Sequence, residues 1–165
     1  MRSALKWILS TVLLANGVGV ASVAQAFQFV PAGPFTSAAG VLKIKTPSSF
    51  GATLTCALSM SGEVSAFTGL KITSVSITGP GICSLLKAKY LSWPVSANSL
   101  SSVNISDMGF SLVGSVLPPS NCGVSEINAN WNPANKSVTA SNQALSGNCT
   151  IEQLDIVFPA LSLVM

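Results

Sequence analysis

Residues Cys56–Cys83 read "CALSMSGEVSAFTGLKITSVSITGPGIC". The run that leads into this stretch, "ATLTCALS" (52–59), alternates. Ala52, Leu54, Cys56 and Leu58 fall on one face, Thr53 and Thr55 on the other. Alternation with period two is the signature of a half-buried strand. The same pattern recurs along the chain. "VLKIK" sets Leu42 and Ile44 against Lys43 and Lys45. "EINANW" sends Ile127, Ala129 and Trp131 one way and Glu126, Asn128 and Asn130 the other. "FSLVGSV" aligns Phe110, Leu112 and Val116 around Gly114, and "LDIVF" aligns Leu154, Ile156 and Phe158. Turn signals separate the runs: "GPG" at 79–81, "LPPSN" at 117–121 and "NPAN" at 132–135. Only "CSLLKAKYL" at 83–91 offers a helical turn or two, through Leu85, Leu86 and Lys89. The reading is an all-β fold: a single domain over residues 27–165 of about eight to ten strands, arranged as a two-sheet β-sandwich and stapled by disulfides.

The staples come from a repetition. A second stretch, "CGVSEINANWNPANKSVTASNQALSGNC", runs from Cys122 to Cys149, and each bracket spans 27 positions. Each opens with a strand-like run, carries a lysine (Lys71 or Lys136) ahead of a Ser/Thr-rich segment, and closes on a glycine-containing turn. Chance similarity in a low-complexity sequence competes with internal duplication as the cause. Four cysteines allow three pairings; the equal brackets favour Cys56–Cys83 and Cys122–Cys149. In the chain-entropy account, each such loop stabilises by about 3–4 kcal/mol, a large share of a domain's net stability of roughly 5–15 kcal/mol.

The N-terminus says why the cysteines should be oxidised. Arg2 and Lys6 form a short positive region, "WILSTVLLANGVGVASV" follows, and Ala24-Gln25-Ala26 supplies the small-x-small pattern of a signal-peptidase site. Residues 1–26 therefore read as a signal peptide cleaved after Ala26. A membrane anchor fits less well, because Asn16, Gly17 and Gly19 interrupt the run. No second apolar run approaches the roughly 20 residues of a helical span. The protein is expected to be exported to the periplasm, the outer surface or the medium, where cysteines pair with each other. Metal is disfavoured on other grounds: the chain has no histidine, and no cysteine pair has zinc-knuckle spacing.

Composition removes further classes. The 165 residues carry a net charge of +3. Beyond Ala26 the cations are Lys43, Lys45, Lys71, Lys87, Lys89 and Lys136, and the anions Glu63, Asp107, Glu126, Glu152 and Asp155. No basic patch points to nucleic acid. Such a weakly charged surface, polar through Ser, Thr and Asn, associates readily.

Catalysis finds little to work with. Without histidine there is no Ser-His or Cys-His pair and no imidazole base. Glu152 and Asp155 are three apart, which on a regular strand puts them on opposite faces. "SLLK", Ser84 to Lys87, matches the S-x-x-K of serine acyl-enzymes, but its partner motifs are missing. Three glycosylation-type matches, at Asn104, Asn135 and Asn148, are read as chance in a serine-rich chain. Trp131 lies in phase with core residues; Trp93 precedes Pro94, so its backbone is extended and its burial undetermined. Catalytic, metal and cofactor residues are all read as none, and an enzyme is the most distant reading.

The segments "FQFVPAGPFTSAAG", "ATLTCALSMSGEVS", "GICSLLKAKYLSWPV", "NCGVSEINANW" and "LSGNCTI" resemble the bacterial alkane-oxidation-activator family of PraB-type secreted proteins. The resemblance covers nearly all of residues 27–165 and includes the four-cysteine framework; Ser92-Trp93-Pro94 departs from it by placing tryptophan before proline. It implies a small exported accessory protein that promotes growth on long-chain alkanes, and no catalytic residue. Physics adds a compatible mechanism. A stapled, low-charge β domain can present apolar surface at an oil–water interface without unfolding, and that surface gains about 25 cal/mol per Å² on leaving water. Hydrocarbon or cell-surface components are the expected partners, with self-association next. The second reading is a structural subunit of a fibre, adhesin or biofilm matrix, in which "FPALSLVM" (158–165) completes a neighbouring copy by strand addition. The simpler role of that segment is the last strand of its own sheet. The single tyrosine, Tyr90, leaves the chain without the near-terminal tyrosine of chaperone–usher pilins.

Overall fold

In a computed structural model, residues 26–114 and 117–165 are described. The expected signal peptide lies outside them apart from Ala26, as does Val116. Twelve strands form: β1 Gln28–Val30, β2 Gly33–Thr36, β3 Gly40–Lys45, β4 Thr53–Ser65, β5 Gly69–Thr78, β6 Leu86–Lys89, β7 Trp93–Ser99, β8 Ser102–Gly114, β9 Leu117–Asn132, β10 Ser137–Leu145, β11 Cys149–Val157 and β12 Ser162–Val164. The all-β class holds, but the sandwich does not. Strands β3, β4, β5, β7, β8, β9, β10 and β11 each pair antiparallel with the next, and β11 pairs back onto β3 through Leu154↔Leu42 and Ile151↔Ile44. The sheet is therefore a closed, up-and-down, eight-stranded barrel. Alternation along a strand says that one face is buried. Two facing sheets and one rolled sheet satisfy it equally, and the pairing of the first wall strand with the last decides between them.

The alternation itself is realised. Leu42, Ile44, Cys56, Leu58, Ile127, Ala129, Trp131, Leu154 and Ile156 point inward and are buried, while Thr53, Thr55, Glu126, Asn128 and Asn130 are exposed. An eight-stranded barrel is just wide enough to be filled by side chains or to hold one small ligand. This one is filled. Trp93, Trp131, Phe110, Met60 and Met108 are almost wholly buried, and Trp93 meets Phe110 edge to face at 5.5 Å. Trp93 also donates from Nε1 to the Lys89 carbonyl at 2.7 Å.

The two ends of the barrel are closed differently. At one end, the β8–β9 hairpin overruns the wall and crosses to the β3–β4 connection, almost opposite in the ring. There the Ser48 backbone N–H donates to Ser120 Oγ at 2.8 Å, and the Ser48 hydroxyl donates to the Pro118 carbonyl. "LPPSN", expected as a turn, is thus the extended start of β9, and its prolines sit at an irregularity of the ladder where a missing N–H costs no bond. Both disulfides lie toward this end. Cys56 on β4 bonds Cys83 on a short 3-10 turn, Gly81–Leu85, and Cys122 on β9 bonds Cys149 at the start of β11; Cα–Cα is 5.6 Å in each. The two brackets share a topology: a hairpin whose outgoing strand holds the first cysteine, with the second placed just after the return strand. That 3-10 turn, followed by β6, replaces the helical turns expected over 83–91.

At the other end, β1 and β12 form a separate two-stranded ribbon, Phe29↔Leu163 at its centre. Phe29, Leu161 and Leu163 are buried beneath it, and Phe29 stands edge-on to Trp131 at 5.5 Å. "FPALSLVM" therefore ends as a strand paired within its own chain.

Candidate functional site

The acidic side chains are dispersed over the outer wall. Glu63 faces Lys71 across the β4–β5 ladder. Glu126 accepts from Asn104 Nδ2 at 3.0 Å and from the Ser106 hydroxyl at 3.3 Å. Glu152 and Asp155 correct the sequence reading. A register shift between Ile151 and Gln153 turns Glu152 and Gln153 outward together, so Glu152 and Asp155 share the outer face. Glu152 is engaged there by its neighbours. Lys45 bonds it at 2.5 Å, Thr53 donates a second hydrogen bond, and these contacts hold its carboxyl below the usual range. Ser84 and Lys87 are both exposed, one on the 3-10 turn and the other on β6. The four cysteines are structural and sit toward the end crossed by the β8–β9 hairpin.

The concave feature lies at the ribbon end. Strand β7 pairs with β5 only from Trp93 to Val95, so beyond Val95 the two strands part. The gap, with the β4–β5 tip on one side and the segment entering β1 on the other, is an open cleft of about 600 Å³. Phe29, Val64 and Leu70 form a buried apolar floor, and Phe27, Val95 and Ala97 line the walls. Polar lining comes from Gln28, Ser65, Thr68, Ser96 and Ser106, and no charged side chain is among the lining residues. Below Phe29 a void of about 10 Å³ reaches the packed interior. Between the lining residues Ala66 and Thr68, Phe67 turns away from the cleft and is 98% exposed. Its backbone is nonetheless fixed, because Ser65 Oγ accepts from the N–H groups of Phe67 and Thr68 at 3.2 and 3.4 Å.

None of these residues was singled out by the sequence. Phe67 sits in "SAFTG", where an aromatic between turn formers was the available signal. The parting of β5 and β7 is a matter of pairing, which no local pattern reveals.

Fold and site together define a packed antiparallel barrel with one uncharged, largely apolar cleft at its lidded end. The chain belongs to the alkane oxidation protein activator PraA/PraB-like family, whose model matches residues 1–165. Among curated proteins and among solved structures, nothing matches the chain. The two disulfides fit a protein of an oxidising compartment. No helix among the described residues is long and apolar enough to cross a membrane.

Proposed function

We propose that this protein is an exported, non-catalytic helper of alkane use that works where hydrocarbon meets the cell. The observation that carries this reading is the uncharged, largely apolar cleft, in a chain of the alkane-oxidation-activator family. The outer wall is polar but sparsely charged, which allows adsorption to an oil surface. The apolar residues that hold the fold stay inside a stapled barrel, so adsorption does not require unfolding. Closure of the wall also counts against assembly by strand addition. Each of the eight barrel strands has a pairing partner on both sides, although the β5–β7 and β9–β10 ladders run for only three residues each; the other free edges among the described strands lie on the short β1, β2, β6 and β12.

A deletion strain grown on hexadecane and, separately, on a soluble carbon source tests this. The lag should lengthen on hexadecane alone, and protein added to the medium should shorten it. Equal growth of mutant and parent on hexadecane, with loss of surface attachment instead, would favour the fibre or matrix subunit.

A further inference from the structure

We infer that the cleft at the ribbon end is a binding site for a single uncharged linear aliphatic chain, taken from free hydrocarbon; this rests on the proposed role in alkane use. Three features select that ligand. The volume, about 600 Å³, falls within the roughly 300–1,000 Å³ of small-molecule sites. The floor of Phe29, Val64 and Leu70 is apolar and at most 8% exposed in any residue, so it is a rigid surface shared with the core. No lining residue is a lysine or arginine. A carboxylate drawn into the cleft would leave water without meeting a cation, which is costly, whereas a methylene chain or a neutral hydroxyl would not suffer this. Gln28, Ser65, Thr68, Ser96 and Ser106 can hydrogen-bond a neutral oxygen at the chain's end. The interior is no alternative seat, since the void beneath Phe29 measures only about 10 Å³.

Ala66 allows the site to be tested without touching the core, because it is exposed and lines the cleft. Protein purified from the producing cells is titrated with n-octane, 1-octanol and octanoate at pH 8 while amide resonances are followed. Octane and octanol should shift residues 26–30, 64–70 and 94–97, and octanoate should bind at least tenfold more weakly. Ala66→Trp, which fills the mouth, should abolish octanol binding with unchanged melting temperature. Shifts elsewhere, no shifts at saturating octanol, or equal affinity for octanoate would overturn the assignment. Co-sedimentation with phosphatidylcholine vesicles that Phe67→Ser abolishes would overturn the choice of free hydrocarbon. The growth assay separates this inference from the reading beneath it. An Ala66→Trp protein that binds no octanol yet shortens the hexadecane lag overturns the cleft and leaves the role. A parent protein that binds octane but does not shorten the lag leaves the cleft and removes the role.

Discussion

Replacing Cys122 and Cys149 together by alanine should lower unfolding stability by about 3–4 kcal/mol, the cost of releasing a 27-residue loop in the unfolded chain. For a chain of this size that corresponds to a fall in melting temperature of roughly 10 °C. The folded state should feel the loss too. The bond holds the β10–β11 turn against β9, where the Gly123 N–H donates to the Ser146 carbonyl at 3.0 Å. Gly147 there lies so close to the Asn121 carbonyl that a Cβ would overlap it, so the turn has one way to sit. Both cysteines are almost fully buried, which is why alanine is a cleaner replacement than serine. Removing Cys56 and Cys83 should cost a similar amount, as the loop is equally long. Chemical denaturation of the two double variants beside the parent checks this. A midpoint unmoved by either pair would mean that the bridges do not constrain the unfolded chain as supposed. Both bridges lie toward the end away from the cleft, so neither pair should alter octanol binding in protein that remains folded.

The strand phases were legible because they depend on one local fact, which face of a pleat meets water. Ile127, Ala129 and Trp131 needed no tertiary information to be placed inside. The closure was not legible, because it depends on β11 finding β3 across a separation of more than a hundred residues. Where local reading failed, an irregularity had changed the period. The shift in β11 moved Asp155 onto the face of Glu152, and the prolines of "LPPSN" were absorbed at another irregularity instead of ending a strand. The cleft escaped for a related reason. It exists because two neighbouring strands stop pairing, and residues that part look no different in sequence from residues that pair. Phe29 illustrates the limit. Nothing in its local sequence shows that it is the partition between the packed interior and the open cleft.

Replacing Trp93 by alanine should be the most damaging single change, about 4–5 kcal/mol, at the upper end for loss of a large aromatic from a core. Trp93 is wholly buried, abuts Phe110, and spends its only polar group on the Lys89 carbonyl. The substitution leaves a large hole in the packed interior of a closed barrel. It also leaves that carbonyl without its donor. Trp131 provides the contrast. Its Nε1 is buried with no hydrogen-bond partner among the described residues, so Trp131→Phe removes an unsatisfied donor along with some volume and should cost less than about 2 kcal/mol. Denaturation curves of the two variants should therefore differ widely although both residues are buried indoles. The same pair distinguishes a filled barrel from one whose interior serves as ligand space. If the aromatics are filler, Trp93→Ala creates an apolar cavity that small hydrophobic molecules can enter, as engineered core cavities do. Octane should then stabilise Trp93→Ala more than it stabilises the parent, whose gain comes from the cleft alone. If the interior of the parent already receives the chain, Trp93→Ala should cost little and octane should stabilise the parent strongly even with Ala66 replaced by tryptophan. That outcome would move the hydrocarbon site from the lip of the barrel to its centre.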